Sequence, residues 1–415
     1  MTSVLRSSVF SPFQVRSYRF QWTADLVTSW ALEMEFVILG WYVLVETGSV
    51  LLLTLFGALQ HGGTLIAPAI GVLSDRIGPR NLLVGLRMVH ATIAFTLMSL
   101  ALTGALTPLI VLALVGMTGL VRPSDLGLRA ALIADTIAPL QMAGAMGMSR
   151  MTTDSARIAG ALTGAGLIAT LGIGVAYMAI AAFYVAGVFL ISRADSVHSK
   201  RTSKPACDTA FTRTSAWAEL REGILYTWNT PSLMAIIWLV LLFNFTAFPL
   251  TNGLLPYVAK EIYSIDQAGL SYLIASISCG AVVGSIFMNR APVGRLLPRL
   301  MITSAVIWHC LLLVFSQTEG FAIGIAILLV VGIFQSLSMV SLTVILMNEA
   351  GQQFRGRVMG VRLLAIYSLP IGLLLAGVLI DKIGFATTAS IYASLGLTMT
   401  IAIAARWRLS LWPAK

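Results

Sequence analysis

Gly71-Val72-Leu73-Ser74-Asp75-Arg76-Ile77-Gly78-Pro79-Arg80 is a polar turn set between two apolar runs, residues 50–72 and 81–102. The first run carries no charge and the second carries only Arg87. About 20 apolar residues in a helix cross the hydrocarbon core of a bilayer. The decapeptide therefore reads as a loop between two membrane-spanning helices. Gly71 permits close helix approach, Gly78 a tight turn, and Asp75 can pair with Arg76, Arg80 or a helix N-terminus.

The same reading extends along the chain. Of its 415 residues 58% are hydrophobic and 11% charged, with mean hydropathy +0.89, whereas a soluble chain carries about 25% charged residues. Twelve apolar segments can be drawn: 20–45, 50–72, 81–102, 107–134, 139–168, 171–192, 232–257, 268–288, 300–316, 321–347, 358–380 and 386–405. Placing both termini in the cytoplasm puts 19 Lys and Arg in inside loops and termini against 2 outside, Lys260 and Lys382. That asymmetry predicts an even number of spans in this orientation. It also accounts for the net charge of +10 without nucleic acid.

The longest polar stretch, 193–231, separates two sets of six segments. Its first half is a basic linker. Its second half sets Trp217, Leu220, Ile224 and Trp228 on one face of an amphipathic helix suited to the membrane surface. The expected organisation is thus a six-helix half over 1–192, a linker over 193–231 and a second six-helix half over 232–415. Residues 1–20 have no apolar core with a cleavage site and are not read as a cleaved signal peptide. Cys207, Cys279 and Cys310 are far apart, and His61, His90, His198 and His309 never fall at i, i+3 or i+4. No disulfide, metal or other cofactor is expected.

Residues 71–80 resemble the signature between helices 2 and 3 of the major facilitator superfamily, G-x-L-x-D-R-x-G-R-[KR], with Pro79 replacing the first terminal basic residue. The resemblance implies twelve spans in two halves, and a conformational latch made by Gly71, Asp75, Arg76, Gly78 and Arg80. Glu222-Gly223 with ILYTWNTPSL, LLPYVAKEIY at the far end of segment seven, and Phe354-Arg355-Gly356-Arg357-Val358-Met359-Gly360 are similar to the branch containing the bacterial enterobactin exporter and macrolide-efflux relatives. Gly377 to Gly384 echoes Gly71 to Gly78 at the opposite face, as inverted three-helix repeats would allow.

A charge at mid-bilayer is costly and must face protein or water. Segment four holds Arg122, Asp125 and Arg129 on one face, and segment five holds Arg150, Asp154 and Arg157 in the same way. Two such stripes on consecutive helices predict an interlocked ion-pair network. Segment one adds Asp25, Glu33 and Glu35, the last two about 160° apart around the helix. Arg87 and Arg362, near the starts of their segments, are expected to snorkel. The charged clusters could serve packing alone, or one carboxylate could titrate while an arginine governs it. Trp30, Asn244, Asn252, Tyr257 and Gln335 are candidates for contact with an amphiphilic substrate, although Asn and Gln can equally join helices. Gly160, Gly164, Gly166, Gly280 and Gly284 are expected to pack the two halves together.

The expected function is export of a small organic molecule by proton antiport and alternating access, by a monomer in the bacterial inner membrane. An importer or symporter is the alternative. A lipid-modifying enzyme using Asp25, Asp125 or Asp154 lacks a nucleophile–base or metal cluster, and a nontransporting receptor is a third possibility. No phosphate-binding glycine loop supports direct ATP coupling.

Overall fold

The computed structural model describes residues 11–66, 70, 73–74, 76–138, 141–194, 216–290, 296–351 and 354–411. Every regular element among them is helical. α1 (Arg16–Thr47) and α2 (Val50–Leu59) precede α3 (Pro79–Leu102), α4 (Pro108–Thr136) and α5 (Met142–Ser192). α6 (Ala216–Asn229) leads into α7 (Pro231–Phe248). Then come α8 (Gln267–Arg290), α9 (Leu297–Ser316), α10 (Phe321–Glu349), α11 (Arg355–Ile366), α12 (Ser368–Ile383) and α13 (Phe385–Arg406).

Among the described residues ten helices are long and apolar enough to cross a membrane, with Arg355–Ile383 counted once across the break between α11 and α12. α5, at 51 residues, holds two spans divided at non-helical Gly172, whose φ is 77°. α2 is the shorter described part of the second apolar segment. The fold is therefore an all-α membrane protein of twelve spans. Local chemistry sets several boundaries. Pro79, Pro108 and Pro231 open their helices, where a missing N–H costs nothing. Pro249 and Pro256 lie in a stretch that continues α7 through two wider turns, Pro249–Gly253 and Val258–Ile262.

The chain divides into two compact units, Met1–Leu39 with Gln60–Phe211 and Gly40–Leu59 with Thr212–Lys415. In the first, α1 and α5 approach closely because Gly160 and Gly164 present no Cβ to Glu33 and Met34. Leu82, Leu83, Leu128, Leu132 and Ile191 form a core joining α3, α4 and α5. In the second, α8 meets α10 through Gly280, Gly284 and Gly332, each facing a backbone carbonyl of the other helix. The expected role of these glycines is corrected here. Gly160 and Gly164, Gly280 and Gly284 bring helices together inside one unit, while a Cβ on Gly166 would meet nothing within 4 Å.

Candidate functional site

The acids within the spans of the first unit sort into four arrangements of different character: a ring, a pair along one helix, a triad and a single hydrogen bond. Asp25 on α1, Arg87 on α3, and Asp125 and Arg129 on α4 form a closed ring of alternating sign. Arg87 pairs closely with Asp25, and Arg129 with Asp125. The cross contacts Arg87 Nε–Asp125 Oδ1 and Arg129 Nε–Asp25 Oδ1 are both 3.6 Å. All four are buried. Arg129 also donates to Ser29 Oγ at 2.6 Å, and Gln21 Nε2 donates to the Arg129 carbonyl at 3.0 Å. Two acids and two bases leave no net charge. This ring joins three helices and has few routes to solvent.

Arg87 overturns the snorkelling expectation, since it is 1% exposed and central to the ring. The interlocked stripes are also corrected. The segment-four stripe splits, with Asp125 and Arg129 entering the ring while Arg122 faces elsewhere. Arg150 pairs with Asp154 on its own helix at 3.2 Å, the Arg150 side chain being 78% exposed. Among the described residues the stripes of α4 and α5 are joined by ion pairs through α1.

That meeting point is Glu33. Its Oε1 lies 3.5 Å from Arg122 and its Oε2 lies 3.9 Å from Arg157. Arg122 also donates to Gln60 Oε1, and its guanidinium lies 5.7 Å from the Phe36 ring centroid. Side-chain exposures are 13% for Glu33, 26% for Arg122 and 37% for Arg157. Unlike the ring, this triad is partly exposed, loosely held and formally one positive charge in excess. Pro123 follows Arg122 and removes the N–H that would bond to the Gly119 carbonyl. Gly63 packs against the carbonyls of Gly119 and Leu120 beside it. Glu35 turns to the other side of α1, where Tyr184 donates to its Oε2 at 2.6 Å.

Trp30 donates its indole N–H to Thr163 Oγ1 at 2.8 Å and borders an apolar cavity of about 360 Å³ with Met34, Leu167 and Phe183. In the second unit Asn244 is buried and donates to the Val240 carbonyl of its own helix at 2.8 Å. Asn252 is half-buried in the first wide turn, and Tyr257 packs toward Phe385 with ring centroids 6.1 Å apart. Gln335 keeps a buried Oε1 without a hydrogen-bond partner.

Of the signature loop, Gly71 and Asp75 lie outside the described residues. Gly78 adopts φ 84° and caps α3, a backbone that favours glycine. Arg80 donates to the Ser192 carbonyl at the end of α5, and Arg76 is exposed. Gln60, Ser29, Gln21 and Tyr184 had no signal in the sequence, because polar residues in apolar runs are legible only once their neighbours are known. Among the described residues no group of three or more His, Cys, Asp or Glu could hold a metal.

No curated protein matches the sequence significantly. Among solved structures, the POT family transporter PepTSo superposes with TM-score 0.73 at 12% identity, covering 96% of this chain and 99% of that one. A point mutant of the nucleoside transporter NupG gives 0.69 at 13% identity over 94% and 99%. A D-xylose-proton symporter gives 0.69 at 12% identity over 93% and 96%. These likenesses establish the fold. Residues 22–373 match the profile of the Major Facilitator Superfamily, and this chain, with its twelve helical spans and its charged cluster inside the first unit, belongs to that family.

Proposed function

We propose that the protein exports a small organic molecule by alternating access, driven by proton antiport, and that Glu33 is the coupling carboxylate. The carrying observation is the triad itself: one carboxylate between two arginines on different helices, partly open to water, at distances of 3.5 and 3.9 Å that a small helix movement would change. With both arginines close, the anion is favoured. When a rocking motion draws both Arg122 and Arg157 away, Glu33 loses its counter-charges and accepts a proton. Return of Arg122 expels that proton on the other side. The ring of Asp25, Arg87, Asp125 and Arg129 then acts as the fixed frame against which the triad moves.

Trp30, Asn244, Asn252, Tyr257 and Gln335 remain the proposed substrate contacts, and Asp75 with Arg80 the proposed latch. Efflux rests on the similarity of the 222–233, 254–263 and 354–360 motifs to the enterobactin and macrolide branch. Both termini are proposed to be cytoplasmic, in a bacterial inner membrane, with the protein working as a monomer and requiring no cofactor.

The excess positive charge of the triad favours one second reading. An anion held by Arg122 and Arg157 would bind best with Glu33 protonated, and by linkage proton and substrate would then travel together. That is symport, as in the D-xylose-proton symporter that shares the fold. Proteoliposomes with an imposed pH gradient, screened against diverse small molecules, separate the two. Antiport requires substrate to release protons from the purified protein in weak buffer, and symport requires uptake. Glu33→Gln should abolish gradient-driven accumulation while leaving exchange at equal concentrations largely intact. A variant that accumulates substrate normally removes Glu33 from the mechanism.

A further inference from the structure

Glu35 differs from the other acids buried in the first unit's spans. Asp25 and Asp125 share two guanidiniums, Glu33 has two more, and Asp154 has Arg150. Glu35 is 5% exposed, and among the described residues it has no ion pair. Its hydrogen bond comes from the hydroxyl of Tyr184, itself fully buried, at 2.6 Å. The groups around it are few. Arg122 on α4 is within electrostatic reach but beyond ion-pair distance, committed to Gln60 and Glu33. Tyr177, on the same part of α5 as Tyr184, has a buried hydroxyl without a partner. His90 on α3 lies against the Tyr184 ring at 5.6 Å. Its Nδ1 faces the Leu86 carbonyl at 3.0 Å, which can only accept, so Nδ1 carries the hydrogen and Nε2 is a buried, unpartnered lone pair.

A buried carboxylate with one neutral donor lacks the compensation an anion needs, and protonation removes that uncompensated charge while keeping the Tyr184 hydrogen bond. We infer that Glu35, positioned by Tyr184, is a second proton-binding site of the transporter, separate from Glu33 and occupied in the packing seen here. In the acid, Tyr184 donates to the carbonyl oxygen. On release the proton leaves as H⁺, and Tyr184 then donates to the carboxylate. Tyr184 is a positioning residue, since it keeps its own proton throughout. His90 Nε2 is the nearby basic atom that could receive the proton after a rotation of the intervening ring. The inference rests on the proton-coupled reading above, but its protonation state can be measured without any transport.

Infrared difference spectroscopy with H/D exchange on the purified protein reads protonated carboxyl groups directly. At neutral pH the wild type should show a protonated carboxyl band. Glu35→Gln should remove it, and Glu33→Gln should leave it in place. Tyr184→Phe should move it to higher frequency, because a carbonyl released from a hydrogen bond stiffens. Persistence of the band in Glu35→Gln, or its absence from the wild type, overturns the inference. Should Glu35→Gln fail to fold, an unmoved band in Tyr184→Phe overturns it equally. Failure of Glu33→Gln to uncouple transport would instead sink the Glu33 reading and leave these spectra as they are.

Discussion

Removing the guanidinium of Arg87 would leave Asp25 and Asp125 with Arg129 as their one remaining ion-pair partner in a buried interior. Breaking a buried ion pair from one side costs about 3–5 kcal/mol, because the orphaned charge stays desolvated. Arg87→Ala should lower stability by about that amount, measured by unfolding in detergent. Arg87→Met with Asp25→Asn, which keeps Arg129–Asp125 and restores neutrality, should recover much of the loss. Failure of the double variant to recover would mean that Arg87 acts through packing alone. Glu33→Gln should cost less than Arg87→Ala, since its pairings at 3.5 and 3.9 Å are long and its partners are partly exposed. The contrast separates frame from moving part. At this scale the sequence was legible for residue type and poorly legible for partner. Arg122, Asp125 and Arg129 share a face by helical periodicity, yet only tertiary packing sends Arg122 to Glu33, Asp125 to Arg87 and Arg129 to Asp25. Arg87 sits near a helix start, where length alone allows snorkelling, and nothing in the chain announces that α1 and α4 close over it.

Between helices, two motifs about 130 residues apart come together in the second unit. Glu222 pairs with Arg357 at 2.9 Å, Tyr226 stacks on Phe354 at 4.2 Å with rings 4° from parallel, and Gly223 lets α6 sit against the Arg357 backbone. Ser232 at the start of α7 donates to Glu349 at the end of α10 at 2.9 Å nearby. α6 lies within the stretch read as amphipathic, and Ile224 and Trp228 on it are exposed. The side chains of Trp217 and Leu220 lie outside the described residues. An exposed ion pair contributes about 0–1 kcal/mol, and an aromatic pair about 0.5–1.5 kcal/mol beyond its burial. Limited proteolysis of the 193–231 segment should therefore accelerate more in Tyr226→Ala than in Glu222→Ala. The reverse order would place the strength of the clasp in the charge. Glycines give a second test at this scale. A side chain on Gly332 would fall on the Ile277 carbonyl, so Gly332→Val should cost about 1–3 kcal/mol by overpacking α8 against α10. Sequence reading found Gly280 and Gly284 but not the helix they face, because a small residue reports close approach without naming the partner.

Over the whole molecule, three connections repeat one device. Gly78, Gly172 and Gly384 adopt φ of 84°, 77° and 80°, each ending one span and opening the next with a single residue. They fall after spans two, five and eleven, the equivalent places in the first, second and fourth three-helix repeats, which gives the Gly377–Gly384 echo of the signature loop a backbone basis; the place after span eight, 291–295, lies outside the described residues. If the repeats alternate in direction, the turn at Gly78 lies on one membrane face and those at Gly172 and Gly384 on the other. The 19 to 2 charge division says which face is which: Arg76 and Arg80 flank Gly78, whereas Lys382 is the lone cation beside Gly384. Positive charge is retained on the cytoplasmic side during insertion, so Gly78 and the 193–231 segment should be inside and Gly384 outside. In a background without Cys207, Cys279 and Cys310, Ser199→Cys should resist a membrane-impermeant maleimide added to intact cells and react in inverted vesicles. Lys382→Cys should do the opposite. Rapid labelling of Ser199→Cys from outside would invert the topology, and with it the side from which Glu33 takes its proton.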